Sequence, residues 1–157
     1  LNYAMSLYAI TEAHALGYDE NLYLDSASRT YIEETGGANI FFISRDGKLI
    51  TPRSDTILPS ITRDSLLTVA SEYLGIRTEE RPVRIDEIPD FAECGLCGTA
   101  AVISPVQSID DHGNVQTFFR DISQEESVTQ RIKSVLTEIQ EGRRPGPDGW
   151  IHEVSYT

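Results

Sequence analysis

Cysteine and lysine are both scarce in this chain, and each scarcity removes a class of function. The 157 residues include only two cysteines, Cys94 and Cys97. Two thiols cannot build a disulfide framework, and without further ligands they cannot hold a structural zinc. Lysine occurs only at Lys48 and Lys133, and the formal net charge is −12. A chain of that sign is repelled by nucleic-acid phosphates and by anionic membrane surfaces, although a local pocket for a single phosphate stays open. No apolar run approaches the length that crosses a bilayer. No basic n-region with an apolar h-region opens the chain. The expectation is a soluble protein of a reducing cytoplasm that binds neither nucleic acid nor membrane and holds no metal.

What is present is periodicity. Over residues 3–16 the apolar positions Met5, Leu7, Tyr8, Ala13 and Leu16 fit a helical face, with Gly17 as the stop. Residues 21–25 alternate as a strand does, 26–30 read as a turn, and 31–34 are extended until Gly36-Gly37 interrupts them. A hairpin follows, with strands over 39–44 and 48–51 about the turn Arg45-Asp46-Gly47. After a loop over 52–60, the pattern predicts a helix over 62–73 ended by Gly75, with Leu66, Leu67, Val69, Ala70 and Leu74 inward. It then predicts a strand over 77–85, weakened by Pro82, and two extended pieces within 91–106 joined at Gly98-Thr99. A turn over 110–114 separates two strands, a last helix runs over 124–140, and 142–149 form a loop. No repeat or linker divides the chain. The expectation is one α+β domain over residues 1–157, with a twisted, barrel-like sheet and helices packed around it.

Several residues could carry chemistry. Ser60-Ile61-Thr62 precedes a helix, where free backbone N–H groups and the positive end of the dipole favour an anion. Plain capping by Ser60 or Thr62 is the commoner use of such residues. Gly98-Thr99-Ala100-Ala101 could form a small nest of amides, or simply a tight packing contact. Glu33 and Glu34 stand before a turn, as a solvated edge does, and alternation along a strand places them on opposite faces. Cys94 and Cys97 have the C-x-x-C spacing of thiol–disulfide oxidoreductases. They lack the βαβ context of that motif, and they lie in an extended segment. His14, His112 and His152 are scattered with no second ligand at metal spacing. Asp86, Glu87, Asp90 and Glu93 read as a solvated face, and Arg143-Arg144 as a loop anchor.

Four segments in order carry a more specific pattern: Leu1-Asn2-Tyr3, YIEETGGAN at 31–39, ILPSITRD at 57–64 and GTAAVISPV at 98–106. Together they resemble the large domain of the branched-chain amino acid aminotransferases, pyridoxal-phosphate enzymes of the D-amino acid aminotransferase-like class. The resemblance implies the large-domain fold of a fold type IV pyridoxal 5'-phosphate enzyme. It implies that the backbone amides and hydroxyl of Ile61 and Thr62 hold the cofactor phosphate, met from the other side by Gly98 and Thr99. The amides of Thr99 and Ala100 would receive the substrate carboxylate. Glu34, rather than Glu33, would keep the pyridine nitrogen protonated so that the ring can act as an electron sink. Tyr3 would hydrogen-bond the phenolic oxygen. Ser60 and Leu1 depart from the pattern, since glycine is usual at both positions.

The Schiff-base lysine, nucleophile and general base in one, would fall three positions before Leu1. The chain would therefore hold no catalytic residue of its own. It would be a C-terminal large domain without its N-terminal small domain, inactive alone. The parent protein would exchange amino groups between leucine, isoleucine or valine and 2-oxoglutarate, as a homodimer. Aminodeoxychorismate lyase, D-amino acid aminotransferase and a non-catalytic anion- or partner-binding domain are the alternatives.

Overall fold

The computed structural model describes residues 4–100, 102–121 and 126–154. In chain order, α1 (Ala4–Ala15) leads to β1 (Leu22–Leu24), β2 (Ile32–Thr35), β3 (Asn39–Ser44) and β4 (Leu49–Pro52). Next come α2 (Ile61–Thr68), β5 (Thr78–Arg81), β6 (Phe91–Gly98), β7 (Val102–Pro105), β8 (Ser108–Asp111), β9 (Asn114–Thr117) and α3 (Val128–Gln140). The first seven strands form one sheet, and β8–β9 is a separate hairpin.

β3 is the spine of this sheet. Its sequence, NIFFIS, is β-branched and aromatic and is covered on both faces, so it reads as a continuous apolar run. Along one edge it pairs antiparallel with β6, from Asn39↔Cys97 to Ser44↔Phe91. It also pairs with β4 at Phe42↔Ile50 and Ile43↔Leu49, and with β2 at Glu34↔Asn39. Phe41 and Ile43 enter a core layer with Leu66 and Val69 near α2 and with Ile132, Leu136 and Ile139 of α3. Ile40 and Phe42 face the opposite way, into a layer with Ile32, Val83, Ile88 and Phe91. There the rings of Phe42 and Phe91 stack at 4.5 Å.

The mixed helix-and-sheet architecture agrees with the sequence reading, with one difference of shape. β3 is already paired on both edges, and among the described residues the remaining strands do not close on one another. The sheet is open and branched rather than a barrel.

Three boundaries move, each for a local reason. The helix expected over 62–73 starts at Ile61 and widens into a π-helical turn over Val69–Tyr73. Gly75, at φ +65°, then lets the Ile76 amide reach back to the Ala70 carbonyl at 2.8 Å and close the helix. The strand expected over 77–85 ends at Arg81, because Pro82 has no N–H for the ladder. A short 3₁₀ helix over Ile85–Asp90 replaces its end, started by the Glu87 carboxylate accepting the Arg84 amide at 2.8 Å. The last helix begins at Val128, with Ser127 as N-cap accepting from the Gln130 amide at 3.0 Å.

Of the acidic group at 86–93, Asp86 and Asp90 are exposed as expected, while Glu87 and Glu93 are half-buried and engaged. Glu87 is paired with Arg81 at 2.6 Å, and Asp86 with Arg84 at 2.8 Å. Glu93 caps α3, accepting the Val128 and Thr129 amides, each at 2.9 Å, and the Thr129 hydroxyl at 2.8 Å. A carboxylate there satisfies orphan donors and complements the helix dipole.

Cys94 and Cys97 are both fully buried free thiols. Three residues apart on one strand, they enter opposite core layers, a geometry no disulfide can bridge.

Between them, Gly95 lies opposite Phe41 in the ladder, and a Cβ built there would sit 2.3 Å from the Phe41 ring. Gly95→Ala is expected to destabilise the fold by about 1–3 kcal/mol through overpacking, read by urea denaturation. Gly98→Ala, whose Cβ would meet nothing closer than 3.6 Å, should leave stability near wild type. Equal losses in the two variants would refute the packing argument.

Candidate functional site

The site begins with a fault in strand pairing. β1 and β2 pair at Leu22↔Thr35 and at Leu24↔Ile32. Between those pairs one residue, Tyr23, stands opposite two, Glu33 and Glu34, which makes a β-bulge on β2. Strict alternation is lost there: burial over Ile32–Thr35 runs buried, half, half, buried. Both glutamates and Tyr23 therefore line the same cleft, a space of about 800 Å³. The expectation that Glu33 faces away from Glu34 is wrong, and the bulge is the reason.

Glu34 is held at the inner wall. Its Oε2 accepts from the Asn39 side-chain amide at 3.2 Å and from the Leu58 amide at 3.4 Å. Oε1 has no partner among the described residues. Burial, before any other cause, pushes its carboxyl up from the ordinary value. The Leu58 amide opposes this, the Glu33 charge adds to it, and the Arg63 charge offsets part of it. Asn39 is itself 6% exposed, and its side chain also donates to the Leu58 carbonyl at 3.4 Å.

Leu58 leads through Pro59 into α2. Ser60 caps that helix, with φ −112° and ψ 125°, and its hydroxyl accepts from the Arg63 amide at 3.3 Å. That conformation is extended and open to any residue, so serine replaces the usual glycine without strain. The amides of Ile61 and Thr62, in the first turn, have no intrahelical acceptor. They and the Thr62 hydroxyl find no partner among the described residues, and both residues line the cleft. The opposite wall is the end of β6, where Cys97, Gly98 and Thr99 line the same space. Thr99 is exposed and its hydroxyl is also unpartnered among the described residues. Ala100 follows on an exposed turn and is not among the lining residues.

Cys97 packs under this end. Burial pushes its thiol up to about 12, against the lowering effect of the Arg63 charge. Two buried thiols in opposite core layers run against the redox reading. Arg63 is fixed beneath the wall by the Pro52 carbonyl at 3.3 Å and Glu80 at 2.9 Å.

The structure thus brings Glu34, Ile61, Thr62, Gly98 and Thr99 together. Tyr3 lies outside the described residues. Neither lysine lines the cleft. Lys48 pairs with Asp46 at 3.5 Å, and Lys133 is exposed on α3. Of the histidines, His14 contacts the Asp19 carbonyl at 3.1 Å, while His112 and His152 are exposed. Arg144 anchors its loop on Glu138 at 2.7 Å.

Sequence reasoning missed Glu33, Tyr23, Ser54 and Thr56. The bulge that aims Glu33 depends on the register with β1, and no local signal announces it. The unsatisfied groups fit a phosphorylated pyridine: free amides and hydroxyls suit an anion at one end, and a carboxylate with a free oxygen suits a protonated ring nitrogen at the other.

An α+β domain in which the free amides of a helix start face a half-buried carboxylate across an open cleft has the donors to suit a phosphorylated ligand. The model of the family "Amino-transferase class IV" matches residues 1–109, and the chain belongs to that family. It is 44% identical over 153 residues to the branched-chain-amino-acid aminotransferase of Helicobacter pylori, covering 98% of this chain and 44% of that protein. It is 45% identical over 158 residues to the Haemophilus influenzae enzyme of the same name, covering 98% and 46%. The chain therefore spans a little under half the length of these relatives. Among solved structures, the Escherichia coli branched-chain amino acid aminotransferase superposes with a TM-score of 0.82 at 34% identity, covering 98% of this chain and 48% of that one. The PLP form of the Thermobaculum terrenum enzyme gives 0.79 at 37% identity, covering 91% and 44%.

A carboxyl whose folded pKa is raised stabilises the fold only while it is protonated, and that contribution disappears as pH rises through the folded value. Glu34→Gln is therefore expected to raise the Tm of the ligand-free protein at about pH 7 and to leave it unchanged well below the ordinary carboxylate range. Thermal melts across that interval check this. An equal gain at both ends would show that the effect is not ionisation.

Proposed function

We propose that this chain is the cofactor-binding large domain of a pyridoxal-phosphate-dependent branched-chain amino acid aminotransferase. The observation that carries the reading is the single cleft in which Glu34, Ile61, Thr62, Gly98 and Thr99 face one another. When bound there, pyridoxal phosphate would supply an electron sink that makes the Cα proton of an amino acid labile.

The chain's own residues do the rest by position. The Ile61 and Thr62 amides and the two threonine hydroxyls would hold the phosphate at the positive end of α2. Glu34, once ionised, would hold a proton on the ring nitrogen of the bound cofactor. The Thr99 and Ala100 amides would receive the substrate carboxylate; the Tyr3 expected to serve the phenolic oxygen lies outside the described residues. The proton transfer at Cα needs a lysine, and neither Lys48 nor Lys133 stands near the cleft walls. In this reading that lysine and a small domain precede Leu1 in the full-length protein. The parent protein would then work in the cytoplasm as a homodimer on leucine, isoleucine or valine with 2-oxoglutarate.

The full-length protein loaded with pyridoxal phosphate should convert leucine and 2-oxoglutarate to glutamate and the branched 2-oxo acid, with parallel double-reciprocal lines. Thr62→Val and Thr99→Val should each weaken pyridoxamine 5'-phosphate binding roughly tenfold, the scale of a lost hydrogen bond to a charged group. Turnover of D-alanine or aminodeoxychorismate in place of leucine would move the reading to another member of the class. No cofactor binding at all would leave an anion- or partner-binding domain.

A further inference from the structure

Glu33 has no contact role toward the cofactor in the reading above, although the bulge turns it into the cleft beside Glu34. Its Oε1 accepts two hydroxyls from the loop after β4. The Ser54 hydroxyl lies at 3.3 Å, and the Thr56 hydroxyl makes a short contact. The Ser54 hydroxyl shares its one hydrogen between Glu33 Oε1 and the Thr56 oxygen 2.7 Å away, and the Thr56 amide donates to the Ser54 hydroxyl at 3.2 Å. Two residues further on, the same loop is gripped again, where the Leu58 amide donates to Glu34. Ile57, between the two grips, is buried at 7% exposure. The loop then runs through Pro59 into Ser60 and the free amides of Ile61 and Thr62.

We infer that Glu33 is a positioning residue for the phosphate end of the cleft: through Thr56 and Ser54 it fixes the loop that presents the Ile61 and Thr62 amides. The inference rests on the cofactor reading above and deepens it. The geometry has a simple mechanical content. Adjacent residues on one bulge hold the loop at two points, so its direction into α2 is set by β2 and not only by the helix it enters. Hydrogen bonds to a carboxylate are the stronger kind, and here one oxygen collects two of them. Placing amides before the anion arrives lowers the ordering penalty of binding. Glu33 Oε1 is engaged by the loop hydroxyls, so in this inference its effect on the phosphate passes through the loop.

The test compares two ligands on the full-length protein, pyridoxamine 5'-phosphate and pyridoxamine without the phosphate. Glu33→Ala is expected to weaken the phosphorylated ligand roughly three- to tenfold, the range of one lost hydrogen bond, and to leave unphosphorylated pyridoxamine unchanged. Glu33→Gln keeps an acceptor oxygen for both hydroxyls and should restore binding to within about twofold of wild type. Thr56→Val should match Glu33→Ala, and the double variant should be no weaker than either single one, as residues acting through one contact are non-additive. Unchanged affinity in Glu33→Ala overturns the inference. So does an equal loss for both ligands, which would mean a general structural role. Failure of the wild-type protein to bind pyridoxamine 5'-phosphate would instead overturn the cofactor reading itself.

Discussion

The site depends on how Asn39 is paired. At this one position β3 meets Glu34 of β2 and Cys97 of β6. The carboxylate wall and the Gly98-Thr99 wall are therefore fixed to the same residue and set apart by two strand spacings, about 10 Å. The side chain then adds a third tie, bonding both Glu34 and the Leu58 carbonyl. An Asn at 6% exposure is tolerable here because its Nδ2 donates to two acceptors. A core of Phe41, Phe42 and Ile43 immediately downstream holds the strand in place. Packing thus determines the register, and the register determines the width of the cleft.

Much of this was legible in the sequence. The hairpin of β3 and β4, α2 and α3 follow from apolar spacing and from glycine stops, and the mixed architecture follows from their order; α1 forms where expected, but Leu7, Tyr8 and Leu16 of its expected apolar face are exposed. Glu34, Ile61, Thr62, Gly98 and Thr99 were reached through runs long enough to be specific, and the structure brings them into one cleft. What escaped was everything set by pairing between distant segments. The end of β5 at Arg81 was half visible in Pro82. The 3₁₀ helix after it depends on Glu87 reaching back to Arg84, which spacing alone does not reveal. Glu93 looked like one more solvated acid because the helix it caps begins 35 residues later in the chain.

The bulge is the clearest case of that limit. A two-residue period is a statement about a single strand, whereas a bulge is a property of a pair. One extra residue between Ile32 and Thr35 turns a face that should alternate into two adjacent carboxylates on one side. Two like charges side by side are unfavourable, and the Glu33 charge is one of the causes that raise the Glu34 pKa. The structure offsets this with loop donors on each: hydroxyls for Glu33, a backbone amide for Glu34. The repulsion that would open a bulged strand is turned into two anchors on the loop that faces it.

Ser60 shows how a departure from the family pattern can be absorbed. A glycine is needed only where φ is positive or where a side chain would collide, and neither condition holds at φ −112°. The serine instead takes up the third amide of the helix, that of Arg63, with its own hydroxyl. N-capping of this kind is worth about 1 kcal/mol to a helix. It also divides the donors at the start of α2. With glycine, the Arg63 amide would have only solvent or ligand to bond. With serine, it is committed to the cap, and the Ile61 and Thr62 amides remain free for the anion. The free amides are those nearest the loop that Glu33 and Glu34 hold. In the proposed cofactor reading, helix stability and phosphate binding draw on different donors, so stabilising α2 need not weaken phosphate binding.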